Sequence, residues 1–226
     1  MTRLAIIIPV KPLHEGKSRL ANVLSPEARR GLNRELMLHT FDRAATLRDI
    51  AVIYVVSRSQ EVLAEAERRG FRACLETRDS GLNAALSQAA TLAAGAGADR
   101  VMVVPVDLPR LSEAALRGLV AEFETGSDVL IVTDRRRDGT NVLLWRPLVR
   151  AAFRYGEGSA RQHAEAAAAQ MLSVSLRSDP HLSLDLDTAE DLSLWRQGRD
   201  SRDPIGGLAQ HVGRVTDMLG GSLART

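Results

Sequence analysis

The sequence predicts a single α/β domain built on a mainly parallel, mixed sheet that is flanked by helices. Short runs of Val, Ile and Leu alternate along the chain with helical segments of about 10–15 residues, which is typical of βαβ units. The length of 226 residues suits one such sheet. Apolar residues make up 45% of the chain and charged residues 26%, which excludes a disordered chain, a collagen-like chain and a disulfide scaffold.

The strands are predicted from short apolar runs rich in Val, Ile and Leu. The clearest run ends at Asp107-Leu108-Pro109, because Pro109 prevents the strand from continuing. In chain order the predicted strands cover residues 4–10, 51–56, 71–75, 101–106, 129–133, 142–145 and 172–176. Right-handed crossovers between parallel strands would place helices on both faces of the sheet.

The helices are predicted from their end signals. Ser25-Pro26-Glu27 combines a capping Ser, a Pro in the first helical position and an acidic first turn. Gly70 ends a helix, Ser112 begins one, and residues 188–191 form a capping box. The predicted helices cover residues 26–47, 60–69, 82–94, 113–123, 160–170 and 189–195.

The domain is predicted to span residues 1–198, followed by a tail over residues 199–226. Apolar residues recur at helical spacing from Ile205 to Leu219, although glycines in the same stretch weaken a helix. We expect a terminal helix docked on the domain, with a dimerisation helix as the alternative.

Composition also excludes several kinds of function. The net charge is only +2, whereas a nucleic-acid-binding domain carries clustered basic charge. A single cysteine, Cys74, excludes an internal disulfide and a zinc site of paired cysteines. No apolar run approaches the roughly 18 residues of a membrane span, and the N-terminus lacks a cleavage site. We therefore expect a cytoplasmic protein that binds neither nucleic acid nor membrane.

In a parallel sheet, ligands bind beyond the carboxyl ends of the strands. Beyond the first strand lies the loop Lys11–Arg19, which holds three cations, a Gly and a Ser and contains both lysines of a chain with 30 basic residues. Gly16-Lys17-Ser18 is not a P-loop, because Lys11 stands where that motif needs a Gly. The loop favours a triphosphate site, and a solvated surface loop is the alternative.

Carboxylates follow two of the other predicted strand-like segments. Asp107 comes directly after a buried strand, and Asp185 and Asp187 alternate along an extended segment, so that both lie on one face. Hard oxygen ligands of this kind suit Mg²⁺. In the alternative interpretation, Asp107 caps a turn and Asp187 complements the dipole of the following helix.

Two glycine loops are typical of small-anion sites at helix N-termini. Residues 138–141 and 155–159 each combine a Gly with a hydroxyl residue, and the second loop opens a helix. An ordinary helix cap is the alternative for either loop. Residues 81–83 begin a further helix, and the amide of Asn83 is able to read the edge of a base.

Together these segments resemble the guanylyltransferase family of coenzyme F-420 biosynthesis, known as phosphoenolpyruvate or 2-phospho-L-lactate guanylyltransferases. The matching stretches occur in the family's order and span residue 6 to about residue 192. They are IPVKPLHEGKSRLA, GLNAAL, VPVDLP, DRRRDGTNVLLWRP, YGEGSARQH and LSLDLDTAEDL.

The resemblance implies a nucleotide-diphospho-sugar transferase fold, which is GT-A-like and Rossmann-like, and it assigns roles by position. It implies that the nucleotide is bound by Lys11, Lys17, Arg19, Gly81 and Asn83. It implies that Asp107, Asp185 and Asp187 hold two Mg²⁺ ions, and that Thr140, Gly156 and Ser159 hold the acid. Lys17 and Asp107 are the implied catalytic residues.

The implied reaction joins GTP to a small phosphorylated acid and releases pyrophosphate. Phosphoenolpyruvate is the favoured acid, because the Arg-rich composition suggests a GC-rich bacterial genome. 2-Phospho-L-lactate and 3-phospho-D-glycerate are the alternatives, and the product would pass to the next transferase of the pathway. Rival hypotheses are a molybdopterin guanylyltransferase or cytidylyltransferase, whose Gly-rich loop is absent here, and a non-catalytic nucleotide-binding domain.

Overall fold

The computed structural model describes residues 3–77 and 81–197. The predicted tail, residues 199–226, lies outside this range. The strands are β1 (Arg3–Pro9), β2 (Ala51–Ser57), β3 (Arg72–Leu75), β4 (Ala98–Val103), β5 (Val129–Thr133), β6 (Thr140–Trp145) and β7 (Val174–Arg177). The α-helices are α1 (Pro26–Ala45), α2 (Gln60–Arg68), α3 (Leu82–Gly95), α4 (Glu113–Thr125), α5 (Ser159–Ala168) and α6 (Ala189–Gln197).

The helix ends follow the capping chemistry that the sequence predicts. The Ser25 hydroxyl accepts a hydrogen bond from the Ala28 N–H at 3.2 Å, which begins α1. At the start of α6 the Thr188 N–H donates to the Asp191 carboxylate at 2.8 Å, and the Asp191 N–H donates back to the Thr188 hydroxyl. This reciprocal pair is the predicted capping box.

One mixed sheet holds all seven described strands, in the order β3-β2-β1-β4-β6-β5-β7. All pairings are parallel except those of β6, which runs antiparallel to both β4 and β5. The predicted mainly parallel, mixed sheet is therefore confirmed. Because β6 is reversed, its first residue lies at the edge where the parallel strands end.

The limits of β4 and β7 differ from those that the sequence predicts. β4 begins at Ala98 and ends at Val103, whereas the apolar run predicted residues 101–106. Pro105 has no N–H to donate to a ladder, so pairing stops before it although the run stays apolar. β7 begins and ends later than the predicted residues 172–176.

Side chains from alternate positions of the strands form a core on each face of the sheet. On β1, Ile6 and Ile8 join the core that includes Phe41 of α1, while Ile7 joins the core that includes Leu86 of α3. The sheet is therefore buried between helices on both faces. Among the described residues, no helix has the length and apolarity to cross a membrane.

A third, smaller apolar cluster lies beside the sheet. It joins Leu20, Leu32 of α1, Leu184, Leu186 and Trp195 of α6. Leu20 follows the loop after β1, and Leu184 and Leu186 flank Asp185. This cluster therefore holds two polar segments, which are far apart in the sequence, at one edge of the sheet.

Candidate functional site

The carboxyl ends of the parallel strands open onto a cavity of about 480 Å³. Its walls come from the segments after β1, β2, β3 and β4, together with the start of α3 and the segment before α6. The polar residues among them include Lys11, Glu15, Lys17, Ser18, Arg19, Asn33, Arg58, Glu76, Asp107 and Asp187. The topology thus gathers at one edge the cations and most of the carboxylates that the sequence predicts there.

The loop after β1 is shaped by backbone contacts as well as by charge. Asn33 of α1 donates a hydrogen bond to the Leu13 carbonyl at 2.7 Å. A Cβ atom on Gly16 would stand 2.7 Å from the Asn33 amide nitrogen, so only glycine fits there without a shift. Lys17 then adopts a left-handed conformation with φ of 61°, and a short 3-10 helix, Ser18–Leu20, follows. The turn directs the loop back over the cavity.

Lys17 forms the electrostatic centre of the cavity. Its ammonium nitrogen lies 3.3 Å from Asp187 Oδ1 and 3.7 Å from Asp107 Oδ2, and its side chain is only 7% exposed. Arg19 approaches Asp187 at 3.7 Å from the solvent side. Lys11 also lines the cavity. The structure therefore brings together the catalytic pair that the sequence predicts.

The segment after β7 is joined to the end of β4 by its backbone. The Leu186 N–H donates to the Asp107 carbonyl at 2.9 Å. Leu184 and Leu186 are buried, so the alternating Asp185 and Asp187 share the opposite face, as the sequence predicts. Burial raises the pKa of Asp185 to about 6, and the negative charges of Asp107 and Asp187 add to the shift.

Crowded carboxylates of this kind have the chemistry of a divalent cation site. Within the described part of the chain, however, no three carboxylate, imidazole or thiol groups already converge on one point. The Lys17 ammonium bridges Asp107 and Asp187 instead. The donor set fits Mg²⁺ in kind, and binding would require Lys17 to turn from the carboxylates toward an incoming phosphate.

A second polar group lies at the reversed start of β6. The Thr140 N–H donates to the Ser159 hydroxyl at 2.8 Å, and the Thr140 hydroxyl lies 2.9 Å from His163 Nδ1. The Arg154 N–H donates to His163 Nε2 at 2.9 Å, so the imidazole proton resides on Nδ1 and points at Thr140. Thr140 thus accepts from His163.

The structure joins the two glycine loops that the sequence treats separately. The Gly158 N–H donates to the Asp138 carboxylate at 3.0 Å, and the Ala160 N–H donates to the Asp138 carbonyl at 3.0 Å. Gly156 has φ of +142° and Gly158 has φ of +64°, conformations that side chains disfavour. Residues Thr140, Gly156 and Ser159 are consequently parts of one loop cluster.

Asn83 has a role that the sequence did not predict. Its amide nitrogen donates to the Tyr155 carbonyl at 3.0 Å, and its amide oxygen accepts from the Tyr155 N–H at 2.8 Å. The side chain therefore fastens the start of α3 to the glycine loop after Tyr155. Gly81, by contrast, lines the cavity.

Several residues of the site carry no sequence motif. Arg58 and Glu76 follow β2 and β3, and the guanidinium of Arg58 contacts Glu15 at 2.6 Å and Glu76 at 3.8 Å. The only available signal was their position directly after a strand. His163 ends the matching stretch YGEGSARQH, but the sequence gives it no role, because its contacts with Thr140 and Arg154 form only in the folded chain.

Comparison with known proteins gives consistent matches over most of the chain. The family described as "Guanylyl transferase CofC like" matches residues 4–202. A phosphoenolpyruvate guanylyltransferase of Rubrobacter xylanophilus is 36% identical over 189 residues, which are 83% of this chain and 90% of that protein. A 2-phospho-L-lactate guanylyltransferase of Methanothermobacter thermautotrophicus is 34% identical over 200 residues, covering 87% of each chain.

Solved structures agree with the predicted fold. A protein of Desulfovibrio desulfuricans G20 assigned as a nucleotide-diphospho-sugar transferase superposes with a TM-score of 0.74 at 19% identity, covering 96% of this chain and 98% of that one. A nucleotidyl transferase from Methanothermobacter superposes with a TM-score of 0.61 at 17% identity, covering 87% and 97%. These similarities confirm the nucleotide-diphospho-sugar transferase fold.

Proposed function

The chain belongs to the CofC-like guanylyl transferase family, and from this premise we propose that it transfers GMP from GTP to phosphoenolpyruvate in coenzyme F-420 biosynthesis. A phosphate oxygen of the acid attacks the α-phosphorus of GTP. The bond from that phosphorus to the bridging oxygen breaks as pyrophosphate leaves, and the product is enolpyruvoyl-2-diphospho-5'-guanosine. No covalent enzyme intermediate is needed.

The observation that carries this proposal is the position of Lys17. Its largely buried ammonium stands within 3.7 Å of two carboxylates at the mouth of the cavity. A compact cation at this place suits the phosphates of GTP, because it offsets their repulsion from the anionic acid. We propose that Lys11 and Arg19 assist Lys17 in holding the triphosphate.

We assign the acid to the loop cluster around the start of β6. The Thr140 O–H would donate to its phosphate or carboxylate, and the backbone at Gly156 and the first turn of α5 at Ser159 would supply N–H donors. The nucleotide would lie along the loop after β1 and beside Gly81. Both anions would then meet near Asp107. Binding them side by side in this way would fix their relative orientation.

We further propose that Asp107, Asp185 and Asp187 hold Mg²⁺, as two ions. When bound, the metal supplies charge neutralisation between the two phosphate groups. The buried Asp185, whose pKa is raised to about 6, gains a partner for its charge in that state. Asp107→Asn is expected to lower the turnover by about 10²–10³-fold.

The choice of acid rests on the relatives, which bear both substrate names. Phosphoenolpyruvate leads because it is named for the Rubrobacter protein and for a second relative, from Chloroflexus aggregans, at 35% identity over 196 residues. 2-Phospho-L-lactate and 3-phospho-D-glycerate share its phosphate and carboxylate and are the alternatives. We expect the product to pass to the next transferase of the pathway in the cytoplasm.

The decisive experiment incubates the pure protein with GTP, Mg²⁺ and each of the three acids separately, and measures pyrophosphate release. Release with phosphoenolpyruvate alone supports the proposal, and release with another acid alone corrects the substrate. Release from CTP and not from GTP would favour a cytidylyltransferase. Silence with every pair, despite binding of GTP, would reject catalysis on these acids. Normal turnover of Asp107→Asn, or of the wild type after metal chelation, would reject the metal assignment.

A further inference from the structure

The residues that select the base of the nucleotide are the open question at this site. The side-chain amide of Asn83 was the sequence's candidate for reading a base edge. In the structure, its oxygen and one N–H are engaged by the backbone of Tyr155, at 2.8 and 3.0 Å. Some other polar pair in the cavity must therefore distinguish guanine from the other bases.

The order of the strands shows where the base would lie. Along the carboxyl edge stand, in turn, Glu76 after β3, Arg58 after β2, the loop with Lys17 after β1, and Asp107 after β4. Neighbouring strands are about 4.8 Å apart, so the ends of β3 and β4 lie about 14 Å apart across the sheet. With the reacting phosphate beside Asp107 and the triphosphate on Lys17, an extended nucleotide places its base toward Arg58 and Glu76.

The chemistry of these two side chains matches one base. Guanine presents two adjacent edges, one with the donors N1–H and the 2-amino group, the other with the acceptors O6 and N7. A carboxylate accepts from the first pair, and an Arg guanidinium donates to the second. The Arg58 Nε atom lies 3.8 Å from a Glu76 oxygen, which sets the two groups side by side as the two edges of guanine require.

The burial of Glu76 adds discrimination. Its side chain is 13% exposed, against 37% for Glu15, the other carboxylate that contacts Arg58. A carboxylate shielded from water gains more from the two donors of a matching base than an exposed one does. Glu15 is held by Arg58 at 2.6 Å and serves to position that guanidinium.

We propose that Glu76 and Arg58 read the base of the nucleotide: the Glu76 carboxylate accepts from N1–H and the 2-amino group of guanine, and Arg58 donates to O6 and N7. The proposal deepens the guanylyl transfer proposed above and rests on it for the identity of the base. It makes Glu76 the residue that excludes adenine, which offers an acceptor at N1 and no 2-amino group.

The test is Glu76→Gln, with binding of GTP, ITP, XTP and ATP to the full chain measured in the presence of Mg²⁺ by displacement of a fluorescent GTP analogue. An amide donates to the 2-oxo group of xanthine and accepts from its N1–H, so the substitution reverses one hydrogen bond. We expect the wild type to prefer GTP over ITP by roughly 10–100-fold. In the variant, GTP affinity should fall by a similar factor and XTP should become the preferred ligand.

The matched control is Glu61→Gln. Glu61 lies on α2 and forms an exposed ion pair with Arg30 of α1, so this substitution should leave all four affinities unchanged. Equal weakening of all four nucleotides by Glu76→Gln, or no change, would overturn the proposal. Because binding is measured without an acid, its outcome is independent of whether any acid reacts. If GTP is bound with the expected selectivity but no acid gives pyrophosphate, the proposed reaction fails and the base assignment stands.

Discussion

Lys17 combines a rare residue type with a rare backbone conformation. It is one of two lysines in the chain, and its φ of 61° lies in the left-handed region. The conformation aims the side chain at Asp107 and Asp187, where it is held at 7% exposure. The Lys17 ammonium offsets the charge of these two carboxylates, which would otherwise repel the phosphates of GTP.

Lys17→Met keeps the length of the side chain and removes its charge. We expect kcat to fall by about 10²–10³-fold, because the developing charge on the phosphates loses its buried cation. Pyrophosphate release at saturating GTP measures the effect. Arg19→Met is the matched control: the Arg19 side chain is 74% exposed and lies 3.7 Å from Asp187, so a loss equal to that of Lys17→Met would contradict the central role of Lys17.

The buried imidazole of His163 makes the free energy of unfolding depend on pH. Burial lowers its pKa to about 4, and the positive charge of Arg154 acts in the same direction, against the 6.5 of an unfolded histidine. Between pH 6.5 and pH 4 the unfolded chain therefore binds this proton more readily than the folded chain. The free energy of unfolding should decrease over this interval, by about 3 kcal/mol in total, with no further contribution from His163 below pH 4.

Chemical denaturation at a series of pH values from 7 to 4 checks this prediction. Carboxylates also titrate in this range, so the relevant quantity is the difference in slope between the wild type and His163→Asn. The variant lacks the titrating group and should lose about that amount of pH dependence. Parallel curves for the two proteins would show that His163 does not sense pH.

At the residue scale, the sequence predicted the charges of the site better than its contacts. Lys17, Asp107 and Asp187 were identifiable because strand-terminal loops concentrate ligand chemistry. The clamp of Asn83 on Tyr155 was not identifiable, since the two residues are 72 positions apart and the bond depends on how two loops pack. The same holds for His163 and Thr140.

At the scale of single elements, the two serine caps of α1 and α2 differ in a way that can be measured. The Ser25 hydroxyl accepts from a backbone N–H of α1, whereas Ser59 begins α2 without a side-chain cap bond. Ser25→Ala should lower the free energy of unfolding by about 1 kcal/mol. Ser59→Ala should change it by much less, and equal losses in urea denaturation would contradict this account.

Element limits were predictable where a residue acts locally, and less so where pairing decides. Ser25 and Asp191 act within one helical turn, so their helices begin where the sequence predicts. The end of β4 depends on Pro105, which interrupts the ladder inside an apolar run. The antiparallel pairing of β6 with β5 follows from the short loop between them, whereas the pairing of β6 with β4 depends on long-range packing, which a local pattern does not encode.

For the whole molecule, the match to the guanylyl transferase family covers residues 4–202 and leaves out most of the predicted tail. We therefore expect a chain of residues 1–198 to fold and to release pyrophosphate at a rate close to that of the full protein. Thermal denaturation and the pyrophosphate assay on both chains measure this. Loss of cooperative unfolding or of turnover would show that residues 199–226 belong to the functional unit.

Because β6 is reversed, two different stretches of the chain supply the proposed contacts at the carboxyl edge of the sheet. The proposed nucleotide contacts come mainly from the first half, after β1, β2 and β3, whereas the proposed acid contacts come from the start of β6 and the start of α5. The two stretches meet through the pairing of β4 with β6 and through the hydrogen bonds of Asn83 with Tyr155. A segment from about residue 134 to residue 163 could thus be grafted between relatives to exchange one acceptor for another, with the guanine pocket carried over intact.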